Sequence, residues 1–199
     1  MTPSLAARVK RLPLPIRTRR LELVLPRLDQ AGALATLLQE PSVARWTLHI
    51  PHPYTTSDAR RYVLRAQDRR RSGRGLPLQI VRRGDRVLVG GVGLHQLDEP
   101  HAAAEVGYWV GRPYRRHGYA EEATRALVNV AFRRLGLHRV EAAVFPGNAA
   151  SVRLLRRCGF RYEGRVRDEV LKDGVWRSTL RFARLSTDRV RTRRASRSV

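Results

Sequence analysis

The sequence predicts a mixed α/β domain of the α+β kind, and three observations predict it. Period-two apolar runs alternate along the chain with segments whose apolar residues recur at helical spacing. Two strand-like runs flank the short loop Arg83-Gly84-Asp85 and two more flank Lys172-Asp173-Gly174, so an antiparallel-rich sheet is expected. At 199 residues and 42% hydrophobic content, the chain can build one domain around its own core.

Residues 1–17 hold Pro3, Pro13 and Pro15 without periodicity and read as an irregular basic arm. Arg19 to Leu25 alternates as a first strand and Pro26 stops it. Asp29 is suited to cap a helix to Glu40, with Ala33, Leu34, Leu37 and Leu38 on one face, and Pro41 ends it. Residues 42–56 set Trp46, Leu48, Ile50 and Tyr54 among His49, Pro51, His52 and Pro53, a rigid irregular segment. Either its rings pack on the core, or Trp46, His49 and Tyr54 wall a substrate pocket. Thr56 or Ser57 caps a helix to Arg71, with Ala59, Tyr62, Val63 and Ala66 inward and Arg60, Arg61, Arg65, Arg69 and Arg70 outward.

Strands are then expected over 76–82, 86–97 and 102–110, with Gly90, Gly91 and Gly93 marking a bend or bulge. From Gly118 a helix is well marked, because Ala120, Ala123, Thr124, Leu127, Val128, Ala131 and Leu135 share one face. Glu121 and Glu122 suit its positive end, Arg133 and Arg134 its negative end, and Gly136 stops it. A strand over 138–145, a short helix closed by Gly159-Phe160, and strands over 160–166 and 175–185 complete the domain at 185. Residues 186–199 are rich in Arg, Ser and Thr and read as a disordered basic tail.

No apolar run reaches the roughly 18 residues of a membrane span, and no signal peptide is evident. The lone Cys158 excludes an intramolecular disulfide and suits a reducing cytoplasm. Six histidines show no metal-ligand spacing, so no metal is expected. The net charge is +23, and 38 of the 40 basic residues are Arg. Two readings stand: attraction to nucleic acid or the ribosome, or the codon bias of a GC-rich bacterial genome.

The stretch Tyr108 to Ala120 passes from an apolar strand through an Arg/Gly loop into a helix start. Such a start offers unpaired N–H groups and partial positive charge, a cradle for phosphate. A second constellation follows: Asn148-x-x-Ser151-x-x-Leu154, ending in Gly159-Phe160. The first of these, Arg115-x-x-Gly118-x-Ala120, resembles the pyrophosphate motif of the GNAT superfamily of acyl-CoA-dependent N-acyltransferases, and the second resembles that superfamily's CoA-lining helix. Thr18-x-Arg20-Leu21-x-Leu23, Trp46 to Thr55, Glu105 to Val110 and Phe160-x-x-Glu163-Gly164 look like its ribosomal-protein N-terminal acetyltransferase (RimJ/RimL-like) branch.

The resemblance spans residues 18–185. It implies a GNAT fold: a mostly antiparallel sheet of about seven strands, splayed between the fourth and fifth, flanked by about four helices. By that resemblance acetyl-CoA binds at Trp109, Val110, Arg115, Arg116, His117, Gly118, Tyr119, Ala120, Asn148 and Ser151, with Val110 supplying an oxyanion amide. The implied reaction is direct acetyl transfer to a primary amine, most simply a protein α-amine. That amine, with a pKa of about 7.7–8.0, needs less help from a base than a lysine near about 10.4. Glu105 is the candidate base and Ser151 the candidate acid for the leaving thiolate. The acid Tyr of many relatives is Leu155 here, and a strand Glu of the branch is Val170. A small antibiotic-type amine as acceptor, or a catalytically weak RNA-binding scaffold, are the alternatives; a monomer or homodimer is expected.

Overall fold

The computed structural model describes residues 3–188. Its strands are β1 (Ile16–Arg17), β2 (Leu21–Val24), β3 (Leu76–Arg82), β4 (Leu88–Asp98), β5 (Ala103–Val110), β6 (Arg139–Val144), β7 (Arg161–Lys172) and β8 (Val175–Leu185). The helices are α1 (Leu5–Arg11), α2 (Ala31–Leu38), α3 (Pro41–Ala44), α4 (Thr56–Ser72), α5 (Tyr119–Arg133) and α6 (Ala149–Arg157). All eight strands form one sheet in the order β1-β2-β3-β4-β5-β6-β8-β7. Every neighbouring pair is antiparallel except β5 and β6.

That one parallel pair opens the sheet. Ala103 to Glu105 pair with Arg139 to Glu141 and pairing then stops. Beyond that point β5 stays bonded to β4 as far as Val110, while β6 stays bonded to β8 as far as Val144. Each strand is held by its outer neighbour, so the two diverge, and the backbone of 106–110 faces a gap rather than a strand.

The two faces of the sheet are covered differently. Leu127, Val128 and Ala131 of α5 and Leu155 of α6 are buried in one core with Val92, Leu94, Val106, Val140 and Ala142. On the opposite face Leu34 and Leu38 of α2 and Val63 of α4 pack with Tyr54, Leu88 and Trp109. Burying a leucine completely stabilises the fold by about 1.5–3 kcal/mol. The period-3.6 pattern of α5 is therefore enough to dock that helix.

Several expectations need correction. Residues 5–11, expected to be irregular, form α1: Ser4 Oγ caps the Ala7 amide at 3.2 Å, and Leu5 and Val9, one turn apart, are buried. Ile16–Arg17 adds an eighth strand on Leu23 and Glu22. Asp29 does not cap α2 but pairs with Arg27, so the segment begins as a 3₁₀ turn over Leu28–Gln30. Pro41 starts α3 instead of only ending α2, since proline fits a first helical position. The strand expected to end at Val166 continues to Lys172 through two register shifts. Of the expected tail, Ser186 to Asp188 make a turn in which the Asp188 carboxylate accepts from the Leu185 amide; residues 189–199 lie outside the described part.

One helix carboxylate ties two layers together. Glu122 accepts from Thr18 Oγ1 (2.6 Å), the Arg20 amide (2.9 Å) and Arg20 Nε (2.7 Å). Burial opposes its charge, but these hydrogen bonds outweigh burial and hold the carboxyl below its ordinary range. Its contribution is therefore present above the unfolded value of about 4.3 and is lost as pH falls through the lower folded value. Glu122→Ala is expected to cost about 2 kcal/mol at pH 7. The difference between the thermal melts of the two proteins should shrink as pH falls below about 4.3.

Candidate active site

The site is built where β5 leaves β6. The α5 helix begins at Gly118, which adopts φ +78° and offers no side chain to cap the first turn. Only a residue without Cβ takes that conformation without strain. The first-turn N–H groups are thus left for an external acceptor, and Arg20, Arg116 and His117 stand around them. The Arg20 guanidinium lies 4.9 Å above the Tyr119 ring, and its Nη2 is 3.4 Å from where a Gly118 Cβ would be. His117 stacks on Tyr119 with ring centroids 5.5 Å apart. The arrangement suits a pyrophosphate: open amides, a helix dipole and cations within one turn.

Arg115 is placed differently from expectation. Its Nε donates to the Val110 carbonyl at 3.1 Å and its Nη1 to Ser42 Oγ at 2.8 Å. The side chain pins the end of β5 to α3 and occupies the Val110 carbonyl. Arg116, exposed and at φ +65°, is the loop cation left facing outward.

On the other bank of the gap, α6 presents Ser151. Asn148 Oδ1 accepts from the Ser151 amide at 3.2 Å, so Asn148 is the cap of this helix. That leaves Ser151 Oγ free for a different contact, and it lies 2.6 Å from the hydroxyl of Tyr108 on β5. Tyr108 is not among the site residues expected from the sequence. Its period-two alternation with Val106 and Val110, which aims it at the α5/α6 face, was the available signal. Burial raises the Tyr108 pKa, so the phenol stays protonated and can donate to Ser151. The Ser151 hydroxyl hydrogen is then free to point at a sulfur. Leu155, which stands where many relatives carry an acidic Tyr, is fully buried. Tyr108→Phe should lower kcat about 10-fold with unchanged acetyl-CoA affinity, measured by steady-state kinetics beside calorimetry.

The opposite face of β5 carries Glu105, Gly107 and Trp109. Glu105 is the last residue paired to β6, and Arg181 Nη1 donates to its carboxylate at 3.0 Å. Arg181 also pairs with Glu169, which accepts from Thr179 as well. Val170, where the branch can carry a Glu, is thus flanked by a Glu already bound to Arg181. Directly across from Glu105 on β4 is His95. A Cβ on Gly91 would meet Trp109 Nε1 at 2.5 Å, and a Cβ on Gly93 would meet His95 Nε2 at 3.1 Å. The expected bulge lies beside Gly90, where the β3–β4 register shifts between Ile80 and Val81, and Gly91 and Gly93 also make room for two rings against the sheet. Gln79, in the same row as Gly91 and Trp109, is 1% exposed, and neither end of its amide has a partner among the described residues.

The segment 42–56 divides its roles. Trp46 reaches the loop between β6 and α6, with Cη2 3.6 Å from a Cβ built on Gly147, so it spans the gap from the far side. His49 is exposed. Tyr54 is 4% exposed within the α2/α4 cluster, and burial pushes its hydroxyl up to about 12. It is a core residue and not a pocket wall. Burial likewise pushes the Cys158 thiol up to about 12, which leaves it no thiolate at neutral pH. Among the described residues no three His, Cys, Asp or Glu gather as a metal site, and no helix is long and apolar enough to cross a membrane.

Known proteins resemble this chain in sequence and fold. The chain is 40% identical over 102 residues to the uncharacterized N-acetyltransferase YoaA of Bacillus subtilis (strain 168), covering 51% of this chain and 58% of that relative. Among solved structures, a putative ribosomal-protein-serine acetyltransferase from Vibrio cholerae superposes with TM-score 0.78 at 27% identity, over 86% of this chain and 97% of that one. Mycobacterium smegmatis RimJ in complex with CoA-disulfide superposes with TM-score 0.77 at 25% identity, over 86% of this chain and 83% of that one. Residues 20–161 match the family model described as the acetyltransferase (GNAT) domain, and with that match over most of its length the chain belongs to the GNAT acetyltransferase family.

Proposed function

We propose that this protein moves an acetyl group from acetyl-CoA to the α-amine of a protein N-terminus, by direct attack in a ternary complex. The observation that carries the reading is the meeting of three groups at one gap in the sheet. These are the uncapped start of α5, the Ser151 hydroxyl on α6 and the edge of 106–110 that β6 leaves unpaired. The pyrophosphate rests on the amides of 116–120 beside Arg116 and Arg20. Strand amides freed by the splay, that of Val110 included, receive the developing oxyanion. Ser151, oriented by Tyr108, returns a proton to the sulfur.

The acceptor side supports a polypeptide. Among the described residues, α5 on β6 is the only helix packed substantially on β6, β7 or β8, which supports access of an extended chain end to the gap from the face that bears Glu105 and Arg181. Similarity to a ribosomal-protein-serine acetyltransferase and to a RimJ points the same way. The test is an acceptor screen with acetyl-CoA, comparing peptides with free N-termini, the same peptides blocked, and small polyamines, by thiol release and peptide mass. Acetylation of free N-termini only is expected. Turnover confined to small amines would overturn the assignment.

A further inference from the structure

We infer that His95 receives the acceptor amine, taking a hydrogen bond from its N–H and then the proton it loses on attack. The inference rests on the acetyl-transfer reading and names a residue for the one role still open in it.

Placement is the first argument. His95 faces Glu105 across the β4/β5 pair, and its ring lies back over Gly93 and Gly107, 3.1 Å and 3.5 Å from where their Cβ atoms would stand. Gly107 is two residues past the last β5–β6 pair and two before Trp109. The imidazole therefore covers the stretch of β5 that the splay exposes, on the face opposite Tyr108 and Ser151. An amine approaching from the open face meets this ring, while the thiolate leaves toward the other bank. Acid and base are thus placed on two sides of one strand.

Bonding is the second argument. The Glu105 carboxylate, the obvious base by sequence, is taken by Arg181, which Glu169 holds in turn. His95 has no hydrogen-bond partner among the described residues: Glu105, directly across the β4/β5 pair, is held by Arg181, and the other charged groups near it are Arg69 of α4 and His49 of the 42–56 segment. Burial first, then those two neighbours, push its pKa down to about 4, so it is neutral with a free lone pair at pH 7. The same surroundings disfavour an ammonium ion and favour the free amine. The three glycines at 91, 93 and 107 have a common purpose in this view: they let two rings, Trp109 and His95, lie against the sheet as the floor of the acceptor pocket.

The step balances without another reactant. The amine nitrogen bonds to the thioester carbon, and the carbonyl electron pair moves to oxygen. The nitrogen proton passes to His95, whose charge the adjacent oxyanion offsets. Collapse breaks the C–S bond, and sulfur leaves with its electron pair and takes the proton from Ser151. His95 then releases its proton to solvent, and Ser151 takes one back from solvent, which restores both groups.

The test compares full-length wild type, His95→Gln and His95→Asn, with a free-N-terminus peptide from pH 6 to 9.5. Both variants should bind acetyl-CoA with wild-type affinity, which also reports that they fold. At pH 6.5 their kcat/KM should be about 100-fold below wild type, within the usual range for removing a general base. The deficit should lie in kcat and persist at pH 9.5, because the neutral amine must still lose a proton on attack. No deficit at any pH, or one confined to KM, overturns the role of His95. A wild type that acetylates no N-terminal peptide would instead overturn the acetyl-transfer reading on which it rests.

Discussion

Gly118→Glu is expected to weaken acetyl-CoA binding by at least about 100-fold, or about 2.8 kcal/mol. Two effects add. Gly118 sits at φ +78°, which costs a residue with a Cβ about 1 kcal/mol or more. The new carboxylate would also stand at the positive end of α5 and within reach of Arg20, whose Nη2 is 3.4 Å from the Cβ position. It would fill the anion cradle from within and repel an entering diphosphate. Gly118→Ala carries only the strain and should lose far less. Calorimetric titration of both variants with acetyl-CoA separates charge from strain; unchanged affinity for Gly118→Glu would remove the pyrophosphate from this helix start.

Ser151→Ala is expected to cut kcat about 100-fold while acetyl-CoA affinity changes less than about 3-fold. The expectation follows from how α6 is capped. Asn148 Oδ1 bonds the backbone amide of residue 151, which alanine keeps, so the helix start survives the change. What is lost is the hydroxyl 2.6 Å from Tyr108. If turnover and affinity fell together, Ser151 would be a binding or structural residue only. Paired kinetics and titration on one preparation decide between the two.

Helix α5 and the Asn148 to Phe160 segment were legible because each is a local code. An apolar stripe at 3.6-residue spacing, a capping Asn and a glycine at φ +88° followed by a buried Phe160 depend on neighbours within one or two turns. Helix α1 is just as local, with Ser4 before Leu5 and Val9, but the nearby prolines masked a stripe of only two residues. Arg115 could not be assigned from spacing, because its partners are a carbonyl five residues back and a serine 73 residues away. A flexible cation in a phosphate motif goes to whichever acceptor the fold brings near.

The sequence by itself determined the fold class, the order of the main strands and helices, and the helix start that offers amides to an anion; the opening of the sheet entered only as what the family resemblance implied. These follow from local propensity and from which face of each element is apolar. Only the tertiary structure decided which polar groups meet. Tyr108 reaches Ser151 across 43 residues, Arg181 takes Glu105 across 76, and His95 lies over a glycine of the next strand. Such contacts are set by strand register, and a slip of one residue would turn each side chain to the opposite face of the sheet.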